Sequence, residues 1–341
     1  MKILYVAGRW DPKDHNQASG TDYEIYHALE REGAQLEIVG PFNYQFTILE
    51  RSLRGLHNRF FESRLFKYPF SYFWQSARKV NQAVRHYDPD LLVSKYSAPM
   101  VLTEFKKPLL YICDSSVKWL TNEWKNKNHA WFTYFTMRIW ESKVIRRSAQ
   151  IVTFSHSNAR ALKNLYHVPE ERVDYMAIPA SIPHHKVPAE IDEKKSLNPV
   201  KLLLVGRDYY RKGVDIALEI VESLKQLGVN STLRIVGLEG KNLNQVRFKG
   251  LYDKTKPEQL NEYLDQYRWA NFLIHPARFE AAGIVPSEAA AFGVPTITND
   301  TGGLATTVQD GVSGVVLPKG SSAKIYAEMI KGFVQSPESY H

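Results

Sequence analysis

Two short apolar runs, Lys201-Leu202-Leu203-Leu204-Val205 and Ala270-Asn271-Phe272-Leu273-Ile274-His275, stop abruptly at Gly206 and at Pro276. Runs of this length, apolar at successive rather than alternate positions, suit strands buried on both faces, as in a parallel sheet covered by helices. Similar runs recur at residues 2–7, 35–39, 90–93, 108–113, 150–154 and 231–236, and helical patterns fall at 131–147, 214–227 and 257–269. A further helix is expected after Ser19, which would cap it, with Asp22 completing a capping box and Gly33 ending it. Such alternation predicts an α/β protein in two halves, each binding its ligands beyond the carboxyl ends of the strands. Pro179, Pro183, Pro188 and Pro199 accompany a charged stretch between the halves, which is linker composition. The expected division is a first domain over 1–180, a linker over 181–199 and a second domain over 200–341.

The residues just beyond these two strands carry specific chemistry. Phe279-Glu280-Ala281-Ala282-Gly283-Ile284-Val285-Pro286-Ser287-Glu288 places Glu280 in the loop beyond the second strand and Glu288 in the first turns of a helix. Pro286 suits that helix start, and Gly293 before Val294-Pro295 suits its end. A glycine loop entering a helix presents free N–H groups and a positive dipole end, which attract phosphate. The two carboxylates suit hydroxyl groups, because a carboxylate accepts two charge-assisted hydrogen bonds from a vicinal diol. After the first strand comes Gly206-Arg207-Asp208-Tyr209-Tyr210-Arg211-Lys212-Gly213. Arg207 offers a planar fork and Lys212 a movable point charge, both suited to a diphosphate. No Gly-Lys-Ser/Thr occurs, so this is not a Walker loop. The combination fits a sugar linked to a phosphate.

Gly206-Arg207, Lys212-Gly213, Glu280, Gly283, Glu288, Thr301-Gly302-Gly303 and Asp310-Gly311 stand in the order and approximate spacing of one known family. The chain resembles the family 4 retaining glycosyltransferases of the GT-B fold, specifically over residues 200–320 and more loosely in the first half. There the likeness rests on the opening strand, the turn at Ser19-Gly20 and residues 147–155. The resemblance implies two facing Rossmann-like domains with parallel sheets and an interdomain cleft. It implies a hexosyltransferase that moves a hexose-type sugar, with retention, from a nucleotide diphosphate sugar to a glycan or lipid-linked acceptor, in surface polysaccharide or glycolipid synthesis. By the same likeness, Glu280 holds hydroxyls of the transferred sugar, Glu288 the ribose, and Arg207 and Lys212 the diphosphate. N–H groups near Gly283, Ile284 and Val285 close around sugar and phosphate, the base lies near Leu251, and Gly20 approaches the diphosphate from the other domain. Asp114 and His156 fall on the acceptor side. Neither a cofactor nor a metal is expected, since the cations supply the positive charge and no Asp-x-Asp or His-rich cluster appears.

The chain departs from the family pattern in places. Ala281 and Ala282 stand where a glycine and an aromatic are common, and Cys113-Asp114 where a His-Asp pair is common. The helix with which relatives cross back to the first domain is expected to be absent after Val334. An alternative reading is a non-catalytic nucleotide-sugar-binding subunit that regulates or scaffolds a partner enzyme. A GT-B epimerase or phosphorylase is a further rival. A dinucleotide dehydrogenase is the weakest, because Ala7-Gly8-Arg9-Trp10 lacks the Gly-x-Gly-x-x-Gly fingerprint.

Composition narrows the setting. A single cysteine excludes an internal disulfide and suits a reducing cytoplasm, and the opening residues read as a strand, not a secretory signal. The net charge of +8 has an address: residues 51–85 carry eight Lys/Arg against Glu62, interleaved with Phe60, Phe61, Phe66, Tyr68, Phe70, Tyr72, Phe73 and Trp74. Aromatics among cations suit an anionic membrane surface, so peripheral attachment to the inner face of the membrane is expected; the bland reading puts the aromatics in the core. No nucleic-acid-binding motif accompanies the charge.

Overall fold

A computed structural model describes residues 1–61, 65, 67–104, 106–124, 130–191 and 196–340. The chain divides into two compact units, Met1–Met176 and Ala177–His341. The first runs β1 (Lys2–Val6), α1 (Thr21–Arg31), β2 (Gln35–Val39), α2 (Ile48–Phe60), α3 (Phe70–Tyr87), β3 (Leu91–Ser94), β4 (Leu109–Ile112), α4 (Val117–Glu123), α5 (Trp131–Arg147), β5 (Gln150–Thr153), α6 (His156–Tyr166) and β6 (Val173–Tyr175). The second runs β7 (Val200–Val205), α7 (Val214–Gln226), β8 (Ser231–Val236), β9 (Val246–Phe248), α8 (Pro257–Trp269), β10 (Phe272–His275), α9 (Ile284–Ala290), β11 (Thr296–Asn299), α10 (Leu304–Thr307), β12 (Gly314–Leu317) and α11 (Ala323–Gln335).

Each unit holds a six-stranded parallel sheet, ordered β2-β1-β3-β4-β5-β6 in the first and β12-β11-β10-β7-β8-β9 in the second. The apolar runs explain themselves in β7. Its period-2 alternation sends Leu202 and Leu204 into a core beneath α7 and α11, and Leu203 and Val205 into a second core with Leu264, Val285 and Ala289 of α8 and α9. A strand lined on both faces has no solvent side, so polar residues have no place along it. Each such leucine, fully buried, contributes about 1.5–3 kcal/mol over its exposed state. Ile182 of the proline-rich stretch packs into the second of these cores. At the far end, Tyr340 lies against Phe272 and donates to the Asn271 carbonyl at 3.0 Å.

Read from β7 outward, the second sheet has the strand order 3-2-1-4-5-6, in which the winding reverses between β7 and β10. Open α/β sheets bind ligands at that reversal, outside the carboxyl ends of the two strands. In the first sheet the reversal falls between β1 and β3.

The start of α1 differs from the expected capping box. Ala18 and Ser19 lie in the left-handed region at φ 47° and 58°, and the cap is Gly20 at φ 78°. Asp22 does not return to the cap, because it is buried and accepts hydrogen bonds from the hydroxyls of Tyr5, at 2.9 Å, and Tyr96, at 2.5 Å. Two phenols inside the unit outcompete a local backbone N–H for this carboxylate.

Residues 51–85 form most of α2 and α3, and their aromatics separate into two groups. Tyr72 and Phe73 are core residues with Tyr68 packed on them, whereas Phe60, Phe61, Phe70 and Trp74 are exposed, Trp74 at 73%. Glu62 and Phe66 lie outside the described residues. On α2, Ile48, Leu49, Leu53, Leu56 and Phe60 are all exposed and share one face by the 3.6-residue period. Trp131, Phe132, Phe135 and Ile139 of α5 are exposed as well.

Candidate donor-binding site at the sheet reversal

The two motif segments meet where the second sheet reverses. Lys212, just before α7, and Glu280, after β10, form an ion pair, and Arg211 Nη1 reaches the same Glu280 oxygen at 3.1 Å. Lys212 is buried, so its stem needs a path to the strand end. Gly206 supplies it, since a Cβ there would lie 2.5 Å from Lys212 Cγ. Gly213, at φ 69°, lets the start of α7 close on β10, where a Cβ would sit 2.0 Å from the Pro276 carbonyl. Gly302, at φ 60°, does the same for Glu280: its Cβ would fall 1.8 Å from the Glu280 carbonyl, which accepts from the Gly303 N–H at 2.9 Å. These glycines answer to close backbone approach and to positive φ together. Arg278 completes the frame with a bidentate bond to Asp215 of α7 at 2.8 and 2.6 Å.

Burial alone would raise the Glu280 carboxyl, but Lys212, His275 and Arg211 outweigh it and hold it well below its usual range. It is therefore a carboxylate at neutral pH, anchored by cations. His275, the last residue of β10, is fully buried with its Nε2 3.6 Å from Glu280 Oε2, just beyond hydrogen-bond length. Burial, and next the Lys212 charge, lower the imidazole from 6.5 to about 4, so it is neutral at pH 7. A depressed histidine adds stability that is complete above 6.5 and lost as pH falls towards 4. The loss amounts to about 3 kcal/mol by linkage. Denaturant titrations across that range should show this slope in the wild type and a flatter one in His275→Gln; equal slopes would disprove the assignment.

Glu288, in α9, has a different environment. It is fully buried, and its Oε2 accepts from the hydroxyls of Tyr263 at 2.5 Å and Tyr267 at 2.7 Å, while Lys254 Nζ donates to Oε1 at 2.8 Å. The tyrosines are one turn apart on α8, so both phenols reach the same point. Burial, then the Glu288 charge, push both phenols well above their ordinary range. Gly283, at φ 84°, is the cap of α9, so Ile284, Val285 and Pro286 form its first turn.

The structure thus joins Lys212 to Glu280, but Arg207, the expected companion of Lys212, is exposed, and its charge is felt at Tyr263. Leu251 is exposed at 59%, in the loop after β9. In the first unit, Gly20 is buried at the start of α1 and Asp114 lines a cavity beyond β4. His156 is exposed and lies against the Tyr175 ring, with centroids 3.8 Å apart, while Ser155 does the capping by accepting from the Asn158 N–H at 3.1 Å. Cys113 is buried and its thiol pushed well up by burial, so it is no thiolate. Among the described residues no group of three or more His, Cys, Asp or Glu could hold a metal ion. Sequence reasoning missed Arg211, His275, Lys254, Tyr263 and Tyr267. The four-residue spacing of the tyrosines was the one readable signal.

A chain of two doubly wound parallel-sheet units, with a cation and carboxylate cluster at a sheet reversal, has the architecture of GT-B glycosyltransferases. Its fold superposes on the crystal structure of WaaG, a glycosyltransferase involved in lipopolysaccharide biosynthesis, with TM-score 0.66 and 18% identity, covering 100% of this chain and 92% of that one. Anabaena HepE in complex with UDP-glucose superposes with TM-score 0.61 and 16% identity, covering 100% and 91%. Residues 23–176 match the Glycosyltransferase Family 4 domain, and residues 188–341 match the Glycosyl transferases group 1 domain. The chain belongs to the family 4 glycosyltransferases.

Curated relatives include the D-inositol 3-phosphate glycosyltransferase of Rhodococcus erythropolis, 27% identical over 59% of this chain and 49% of that protein. The lipopolysaccharide glucosyltransferase WaaG of Escherichia coli is 28% identical over 56% and 54%, and the glycogen synthase of Thermus thermophilus 32% over 36% and 29%. The matched segments thus span from 29% to 54% of the length of these relatives.

Proposed function

We propose that this protein is a retaining glycosyltransferase that moves a hexose-type sugar from a nucleotide diphosphate sugar, bound by the second unit, to a glycan or lipid-linked acceptor bound by the first. The observation that carries this reading is the Lys212–Glu280 pair, with Arg211, at the sheet reversal. The diphosphate would draw Lys212, with Arg207 and the N–H groups of Ile284 and Val285 around it. As the glycosidic bond breaks, negative charge grows on the leaving phosphate, and each well-placed donor is worth about 3–4 kcal/mol there. Glu280, held ionised, accepts from hydroxyls of the transferred sugar, and Glu288 from the ribose. A leaving-phosphate oxygen takes the acceptor proton, so the new bond forms on the face the diphosphate leaves. Glu280 is committed to cations and hydroxyls and is not the nucleophile. No divalent ion is required, because the cations carry the charge.

Thermal unfolding in EDTA with UDP, GDP, ADP and their hexose conjugates tests the donor site. A ligand at a hundred times its dissociation constant stabilises by about 2.7 kcal/mol. One nucleotide series should do so for the wild type and fail for Glu288→Ala; no response to any series would refute the reading.

The exposed apolar face of α2, a helix that also carries Arg51, Arg54 and Arg59, and the exposed apolar residues of α5 support peripheral attachment to an anionic membrane on its cytoplasmic side. Among the described residues no helix is long and apolar enough to cross a membrane. Sedimentation with liposomes should rise with anionic lipid, fall with salt, and drop severalfold in a Leu56→Glu, Phe60→Glu double variant. Binding that ignores both lipid charge and these substitutions would sink the attachment.

A further inference from the structure

The first unit contains a cavity of about 200 Å³ beyond the ends of β3 and β4. That is roughly the liquid volume of seven waters, the scale of a single pyranose ring. Its charged groups are Asp114, Glu141, Lys67 and Lys95, the last with its Nζ 4.0 Å from Asp22, and its walls include Tyr96, Tyr111 and Trp140. Glu141 is 3% exposed and is held by the Val117 N–H at 2.7 Å and by the Tyr166 hydroxyl, both on Oε2. Burial raises its carboxyl to about 7 against those two bonds. Carboxylates beside aromatic walls suit a sugar, whose hydroxyls bond in the ring plane while its apolar face lies on a ring.

A second, smaller cavity of about 40 Å³ lies against this one, sharing Lys67, Tyr68, Met137 and Trp140 with it. Its remaining lining includes Phe70 and Phe132, which are 54% and 43% exposed. The surface therefore runs in a fixed order: a polar cavity with two carboxyl groups, then the exposed cation Lys67 at the junction, then an apolar shelf that continues to the exposed Trp131 and Phe135 of α5. Sugar, phosphate and hydrocarbon follow one another in the same order in a glycosyl phosphate esterified to a lipid alcohol. Neither a neutral glycan nor a plain glycolipid offers Lys67 an anion.

We propose that the acceptor is a lipid-linked sugar phosphate, with its sugar held by Asp114 and Glu141, its phosphodiester at Lys67 and the start of its chain over Phe70 and Phe132. This deepens the function proposed above and rests on it only for the role of acceptor. Recognition of the phosphodiester is a charge contact at a partly solvated lysine, so it adds to sugar and chain contacts that each bind weakly alone.

Calorimetry with octyl phosphodiesters of glucose, galactose, mannose and N-acetylglucosamine, each below its micelle concentration, tests the assignment. The controls are the matching octyl glycosides and sugar 1-phosphates. At least one phosphodiester should bind tenfold or more tightly than both of its controls. Lys67→Ala should erase that advantage while weakening the octyl glycoside far less, since the Lys67 charge also reaches Glu141, and Asp114→Asn should weaken every sugar-bearing probe about tenfold. Lys67 is exposed, so its variant keeps the fold, and nucleotide stabilisation of both variants should match the wild type. Equal affinity for phosphodiester and glycoside, an unchanged Lys67→Ala, or no binding of any phosphodiester would overturn the proposal. Because the nucleotide is read separately, loss of its response would count against the donor site and not against this one.

Discussion

Lys212→Ala should lower turnover at saturating donor about 100-fold to 1,000-fold, the loss expected when one preorganised donor to a developing oxyanion is removed. The expectation rests on the burial of the ammonium and on the engagement of its neighbour Arg211 elsewhere. Arg211 is 30% exposed, and its Nη1 is already engaged by the Phe279 carbonyl at 3.2 Å and by Glu280. Shortening the side chain removes the Cγ and Cδ that pack over Gly206 and leaves a gap there. Glu280 would keep Arg211 but lose its strongest cation, so its carboxyl should rise from its depressed range. Steady-state kinetics paired with melting curves separate the chemistry from folding. A folded Lys212→Ala enzyme with near wild-type turnover would show that the lysine is structural, and the proposed mechanism would fall.

Gly302→Ala should destabilise the second unit by about 3 kcal/mol or more, from left-handed strain of about 1–3 kcal/mol and overlap with backbone. The overlap cannot be relieved by a side-chain rotation, because the obstructing atom is the Glu280 carbonyl at 1.8 Å. Either the Thr301–Gly303 turn or the Glu280 backbone must move, so activity should fall along with stability. Gly311→Ala is the matched control: its φ of 73° carries similar strain, but nothing lies within 4 Å of its Cβ. It should cost only about 1 kcal/mol. Urea titration of the two variants gives the comparison, and similar losses would mean that the turn does not position Glu280.

Much of this architecture was legible because buried parallel strands leave a plain record. Leu202 to Val205 are apolar at every position since both faces are covered, and β7, β8 and β10 could be placed to within a residue or two. The short edge strand β9, Val-Arg-Phe, leaves no such run, and Gly314 opens β12 with a residue of poor strand propensity that leaves only three apolar residues behind it. At the site, Lys212 and Glu280 could be named from their motifs, but their pairing could not, as it depends on a strand order that skips from β7 to β10. His275 read as one more strand residue, and nothing in the sequence marks it as facing a carboxylate. Asp22 failed as a capping residue for the same kind of reason: its partner Tyr96 lies 74 residues away, across the first sheet.

The position of the Lys212–Glu280 pair has a consequence for how the protein comes into being. Its two residues are 68 apart in sequence and hang on the two strands at the centre of the second sheet. Neither strand can detach while its neighbours stay paired, so the pair belongs to the most cooperative part of the unit and to its non-local contacts. A growing chain cannot assemble it until β10 and the loop behind it have left the ribosome. The strands that carry it open only with the unit as a whole, so amide exchange in β7 and β10 reports the survival of the frame on which the candidate site is built.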